Sequence, residues 1–339
     1  MNRILLLLAL PLLCLPVRAQ NAVDRFYLDM RTSFHQETEP GTYRSQLVGE
    51  YLNLHLLGHV SENVTYRIRQ RLNKKVFDER NMFNATDFMC VTWQATPRWS
   101  LTAGKQAVLI GGYEYDAPPI DVYFYSQFCN NLYQAYSFGI TGAYEFSPSQ
   151  RFVAQVCNSP LSLGYMSVYA WNLAWGGQFA PWWKTLWSVN MVEDAESHYI
   201  HYTALGNHFI FRDAIFDIDL MNRTGLTQKH FFLGDFSVIS KLIWSVGDWN
   251  LCAKAGYERN LAENVDADGR PFDAVIAPGT EYLYAGGGLE WFPLGRDHLR
   301  LHAVFYRDNA VRRTNIDIGV TWRADIITKP LPRQPSSDL

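Results

Sequence analysis

Residues 67–71 read RIRQR, with Val64 and Tyr66 just before them and Leu72 just after. In a helix, three arginines two apart would splay around the axis. In a strand, successive side chains point to opposite faces. Arg67, Arg69 and Arg71 then form one column, and Val64, Tyr66, Ile68 and Leu72 form the other. One face of this segment is strongly basic and the other is apolar, so the fold must supply a separate environment for each.

The same alternation recurs along the chain. FYLDMRTSF (26–34) sets Phe26, Leu28 and Met30 against Tyr27, Asp29 and Arg31. AIFDIDLM (214–221) sets Ala214, Phe216, Ile218 and Leu220 against Ile215, Asp217, Asp219 and Met221. HLRLHAVFY (298–306) sets Leu299, Leu301, Ala303 and Phe305 against His298, Arg300, His302 and Tyr306. About sixteen such runs lie between residues 24 and 325, and helical periodicity is almost absent. The connectors alternate in length. SEN (61–63), TPR (96–98), SPS (147–149), APW (180–182), RD (212–213) and VGD (246–248) are tight, whereas 109–131 and 260–280 are long.

An even strand count, with short turns at one end and long loops at the other, predicts an all-β transmembrane antiparallel β-barrel. A secreted soluble sandwich also alternates, but it turns its apolar face inward and has no such asymmetry of turns. Aromatics near strand ends, among them Trp93, Trp99, Trp182, Trp183, Trp249, Trp291 and Trp322, fit girdles at two membrane interfaces. An arginine facing lipid at the midplane costs about 2–4 kcal/mol. The arginine column therefore points into the lumen, and sixteen strands are enough to leave that lumen as an aqueous channel.

The opening MNRILLLLALPLLCLPVRAQ has the layout of a secretory leader, with Arg3, an apolar run and small Ala19 at the expected cut. The run is too short for a spanning helix. Leu13 before Cys14 argues against a lipidated cysteine. The predicted organisation is a signal peptide over 1–19, a transmembrane β-barrel over 20–326 and a disordered periplasmic tail over 327–339. The expected location is the outer membrane of a Gram-negative cell, with outer-membrane lipid as a partner. Loss of Arg3 and Arg18 lowers the formal net charge from −3 to about −5, which argues against a nucleic-acid partner. Cys90, Cys129, Cys157 and Cys252 are scattered without CxxC spacing, so neither a disulfide framework nor a zinc site is expected from them.

Lumen candidates follow from parity. Arg25 and Arg31 share the polar face of the first strand, Asp217 and Asp219 share that of a later one, and Arg300 lies on the polar face of the HLRLHAVFY run. The long third loop, IGGYEYDAPPIDVYFYSQFCNN (110–131), is too apolar to hang in water. Folding it into the barrel would bury its aromatics and narrow the pore, with Glu114, Tyr115, Asp116 and Asp121 at the constriction. Its acids would face the arginine column across the gap. The alternative is a loop that caps the barrel or packs on a neighbouring subunit.

AGKQAVLIGGYEYDAPPIDVYFYSQF, residues 103–128, resembles the strand-and-loop segment of the phosphate-selective porin O/P family. The resemblance implies a trimeric sixteen-stranded outer-membrane porin, with diffusion of small solutes or of anions such as phosphate. Phosphate-binding members use an arginine ladder and a lysine cluster. Arg67, Arg69 and Arg71 would be a short ladder, whereas no lysine cluster is visible. By parity Lys105 shares the outward face of Trp99, Leu101 and Ala103 unless Gly104 carries a bulge.

The expected function is passive diffusion, with no catalysis and no cofactor. A sugar channel using Tyr113, Tyr115, Tyr123, Phe124 and Tyr125 as a greasy slide is one alternative. A barrel enzyme acting on lipid or peptide, or a plugged structural barrel, is another. Paired carboxylates such as Asp217 and Asp219 can do acid–base work, but no Ser-His-acid constellation accompanies them. His198 and His201 fall on opposite faces of a strand and read as loop-edge residues.

Overall fold

The structure is a computed structural model that describes residues 22–73, 82–132, 135–162, 167–194, 198–225, 230–261, 275–296, 298–310 and 312–329. The expected leader, 1–19, lies outside these residues, as do residues 330–339 of the expected tail.

The alternating runs are strands: β1 (Val23–Glu39), β2 (Thr42–Ser61), β3 (Val64–Arg71), β4 (Thr86–Gln94), β5 (Trp99–Ala107), β6 (Tyr136–Ser147), β7 (Gln150–Asn158) and β8 (Tyr169–Ala180). They continue as β9 (Trp183–Glu193), β10 (Tyr199–Ile210), β11 (Ala214–Gly225), β12 (Asp235–Val246), β13 (Trp249–Arg259), β14 (Glu281–Trp291), β15 (Leu299–Asp308) and β16 (Thr314–Thr328). Each strand pairs with its chain neighbour, and β1 pairs antiparallel with β16 to close the barrel. Closure leaves no unpaired edge, which a bilayer requires. The last strand runs to Thr328, past the limit of 326 set from sequence, because Arg25 and Phe26 of β1 still offer partners to Thr328 and Ile327.

Outward faces carry the exposed apolar side chains, such as Leu47 at 84%, Val189 at 58% and Trp99 at 51% exposure. Near the short-turn end the outward rings touch in sequence around the wall. Phe146 meets Trp175, Phe179 meets Trp183, and Trp182 and Trp183 both meet Phe209. This is the aromatic belt of a wall that faces hydrocarbon. No described helix is long and apolar enough to cross a membrane.

Two irregularities matter for the interior. Between β1 and β2 the pairing steps from Arg31↔Tyr51 to Thr32↔Gly49, which leaves Glu50 as an extra residue. Between β3 and β4 it steps from Arg69↔Phe88 to Gln70↔Thr86, which leaves Asp87 extra. Each is a bulge, and a bulge re-aims a side chain that strict alternation would send the other way. No such step occurs at Gly104, where β5 keeps its register on both sides. Gly104 has φ +120°, and a Cβ there would fall 2.3 Å from the Met89 carbonyl oxygen. Lys105 thus keeps the parity of Leu101 and Ala103, opposite Met89 and Phe138, and its ammonium donates to the Phe83 carbonyl at 2.5 Å.

Candidate functional site: the narrowed lumen

The segment joining β5 to β6 folds into the barrel. It forms a short helix, Tyr113–Asp116, a 3-10 turn, Pro119–Asp121, and a second short helix, Gln127–Asn131. Each piece is tied to the wall. Gly112, at φ +107°, packs against β9, its N–H reaching the Leu186 carbonyl. Asp219 of β11 accepts from the N–H groups of Tyr113 and Glu114 at 2.9 and 2.8 Å. Glu258 of β13 accepts from those of Gln127 and Phe128 at 2.6 and 3.0 Å. Both carboxylates therefore satisfy orphan donors at the start of a helix.

The middle of the loop is clamped by arginines. Arg31 donates to the carbonyls of Ile120 and Val122 at 2.9 and 3.0 Å, and its Nε donates to Glu50. Arg300 meets Asp121 at 2.8 Å and Glu290 at 3.5 Å, and it also donates to the Ile120 carbonyl. Tyr123 lies between them, with Arg31 and Arg300 5.1 and 5.6 Å from its ring centre. Burial holds the Tyr123 hydroxyl above its ordinary titration range, so it stays a donor to Glu290 at 2.6 Å. On the far side of the loop Phe128, Ile110 and Leu132 pack against Tyr202, Ile200 and Val192 in an apolar cluster.

The loop leaves a cavity of about 450 Å³ between itself and the wall of β11–β16. Its lining includes Asp29, Asp217, Asp219 and Glu290, the loop acids Glu114 and Asp121, and Lys241, Lys254, Arg296, Arg300 and Arg323. The signs are nearly balanced, but the acids are engaged. Glu114 takes the Lys254 ammonium at 2.5 Å, Asp217 meets His208 at 2.5 Å and Asp29 meets His55 at 3.0 Å. Among the described residues, Lys241, Arg296 and Arg323 have no carboxylate within 4.0 Å. Lys241 stands directly opposite Lys254 in the β12–β13 register, and Arg323 lies 4.8 Å from the ring centre of Tyr27.

These positions revise several expectations. Glu114 and Asp121 pair with Lys254 and Arg300, not with the β3 column across the gap. Arg31 and Arg300 face inward but are covered by the loop they hold. Tyr115 packs against the apolar cluster, its hydroxyl donating to the Ala135 carbonyl at 3.3 Å, so it does not rim the opening. Asp116 is exposed at the end of its helix. The β3 column is not uniform. Asp87 binds Arg69 at 2.9 Å and Arg71 at 2.5 Å, while Arg67 has no acid within 4.0 Å among the described residues and lies 3.7 Å from the ring centre of Phe88. Arg25 is 3.9 Å from Asp325 near the short-turn end. Sequence reasoning found no lysine cluster, yet Lys241 and Lys254 meet on adjacent strands. It also passed over Glu50, Asp87, Glu258, Glu290 and Arg323. His198 pairs with Asp194 at the mouth of the β9–β10 loop.

The architecture is a closed barrel of sixteen antiparallel strands whose β5–β6 loop, the third connector at that end, is folded into the lumen and bonded to the wall. Residues 42–178, from β2 into β8, match the model of the phosphate-selective porin O and P family. That stretch contains the 103–128 segment that carries the resemblance. Solved barrels share the fold at low identity. The anion-selective porin from Comamonas acidovorans superposes with TM-score 0.60 at 8% identity, covering 90% of this chain and all of that one (100%). The trimer form of OmpT, an outer membrane protein of Vibrio cholerae, gives 0.59 at 12% identity over 90% and 99%. A triple mutant of the Rhodopseudomonas blastica porin gives 0.53 at 11% identity over 88% and 99%. No curated protein matches the chain in sequence.

Proposed function

We propose that the protein is an outer-membrane porin that passes small hydrophilic solutes and ions by diffusion, with a modest preference for anions at its narrow part. The observation that carries this reading is the loop bonded across the lumen beside a cavity lined by charged side chains. The anion preference rests on Lys241, Arg296 and Arg323, the cavity cations with no carboxylate within 4.0 Å among the described residues, while the acids there are all engaged. The match to phosphate-selective porins and the fold shared with an anion-selective porin support the same reading. Phosphate is one candidate solute, since a lysine and an arginine flanking a cavity suit a multivalent oxyanion. A trimer is the expected assembly, as in the trimer form of the Vibrio cholerae barrel.

Reversal potentials in a salt gradient test the preference. Lys241→Glu replaces a cation with an acid opposite Asp217, its register partner on β11. Unit charges ~4 Å apart interact by about 1 kcal/mol in water. The exchange should therefore move the permeability ratio severalfold toward cations. The shift should fade in 1 M salt, where screening acts within ~3 Å. An unchanged potential at low salt would place the selective step elsewhere in the pore.

A further inference from the structure

On the long-loop side of the constriction, three side chains from three strands converge on one point. His35 of β1 and Asp317 of β16 are register partners, and their Nε2 and Oδ2 atoms are 3.1 Å apart. Glu50 enters from β2, with Oε1 3.8 Å from the same Nε2. The three ligand atoms all lie within 4.8 Å of one another. A zinc ion holds nitrogen and oxygen ligands at about 2.0–2.2 Å in a tetrahedron, so neighbouring ligand atoms sit roughly 3.3–3.5 Å apart. The two distances from His35 bracket that spacing.

Two further observations point to a ligand here. The Glu50 Oε1 atom is buried and has no hydrogen-bond partner, an expensive state for a carboxylate oxygen unless something fills it. Its other oxygen is held by Arg31, which fixes the orientation and aims Oε1 at His35. Asp317 is fixed in the same way. Its Oδ1 takes the Nε2 of His302 at 2.8 Å, and the His302 side chain is fully buried, at 0% exposure, against Tyr123. Each carboxylate thus spends one oxygen on an orienting partner and turns the other toward the common point, the arrangement that positions metal ligands. His35 is 44% exposed, so the fourth position opens to lumen water.

We propose that His35, Glu50 and Asp317 form a zinc-type divalent cation site in the outer vestibule. One imidazole and two carboxylates suit zinc, nickel or copper better than magnesium or calcium, which take oxygen alone. Arg31 offsets one of the two negative charges, which weakens the site and makes it reversible. The Glu50 bulge is what creates it, since strict alternation would leave that carboxylate facing lipid.

The test is equilibrium dialysis of the full-length folded protein against zinc chloride, with bound metal counted per chain. The expected result is one zinc per chain, not displaced by excess magnesium. His35→Gln keeps a donor to Asp317 while removing the imidazole, and it should weaken binding by at least ~10-fold. Glu50→Gln should do the same. Folding of each variant is checked by unfolding temperature and by open-channel conductance in metal-free buffer. Because His35 is half-exposed, its variant decides the matter even if Glu50→Gln fails to assemble. Zinc added on the loop side should also alter wild-type conductance and leave His35→Gln unaffected. Absence of bound zinc in the wild type, or equal binding by His35→Gln, would overturn the proposal.

Discussion

Removal of residues 113–127 should raise single-channel conductance severalfold. These residues carry the contacts that pull the loop across the pore: the Tyr113 and Glu114 amides on Asp219, the Ile120 and Val122 carbonyls on Arg31, Asp121 on Arg300, and Tyr123 on Glu290. Without them the cross-section reverts to that of an open sixteen-stranded barrel, which is wide enough for an aqueous channel. The wall groups that lose partners would be rehydrated by lumen water, so the barrel should still assemble. Planar-bilayer recordings give the answer directly. Unchanged step size would mean that the loop lies beside the conducting path and does not narrow it.

A loss of stability of about 3–5 kcal/mol is expected when Arg69 and Arg71 are both changed to Gln, because Asp87 is then buried as an unpaired charge. Asp87 is 3% exposed and binds both guanidinium groups. Adding Asp87→Asn to the double variant should recover most of the loss, since the charge that needed partners is gone. Arg67→Gln alone should cost little, because Arg67 pairs with no acid among the described residues. Denaturant midpoints of the four proteins separate these contributions. If the double variant unfolds like the wild type, Asp87 is solvated in solution and the cluster is a lumen charge only. The β3 column therefore divides into a structural pair and one free cation.

The barrel is legible in the sequence because period-two alternation survives in nearly every strand, and because lipid punishes any charge on the wrong face. The turn asymmetry sets its orientation. The inward loop is legible for a related reason, since a segment carrying Tyr123, Phe124 and Tyr125 has no stable place in water. What alternation does not give is register. Lys241 and Lys254 each look like a solitary lysine on its own strand, and only the pairing of β12 with β13 sets them opposite each other. Nor does alternation give bulges. Counting in twos from Tyr51 puts Glu50 outside, and counting from Phe88 puts Asp87 outside. Both acids are inside because one residue is added at each place, and no composition signal marks the addition. The partners of Arg31, Arg69 and Arg71 were hidden by that single displacement.

The Glu50 bulge also sets how this strand can change in length. Elsewhere in a barrel, losing one residue turns every following side chain over and sends its apolar set into the pore. At Glu50 the opposite holds. Gln46 and Val48 share the inward face with Tyr51 and Asn53, because Gln46 pairs with His35, Val48 with Ser33 and Asn53 with Asp29. Deleting Glu50 restores strict alternation across the join and leaves both halves facing as they do now. β2 is therefore a regular strand carrying one extra residue, and deleting that residue is expected to leave the barrel unchanged. Single-codon gain or loss becomes a route by which such a pore acquires or discards an inward carboxylate without disturbing its lipid-facing surface.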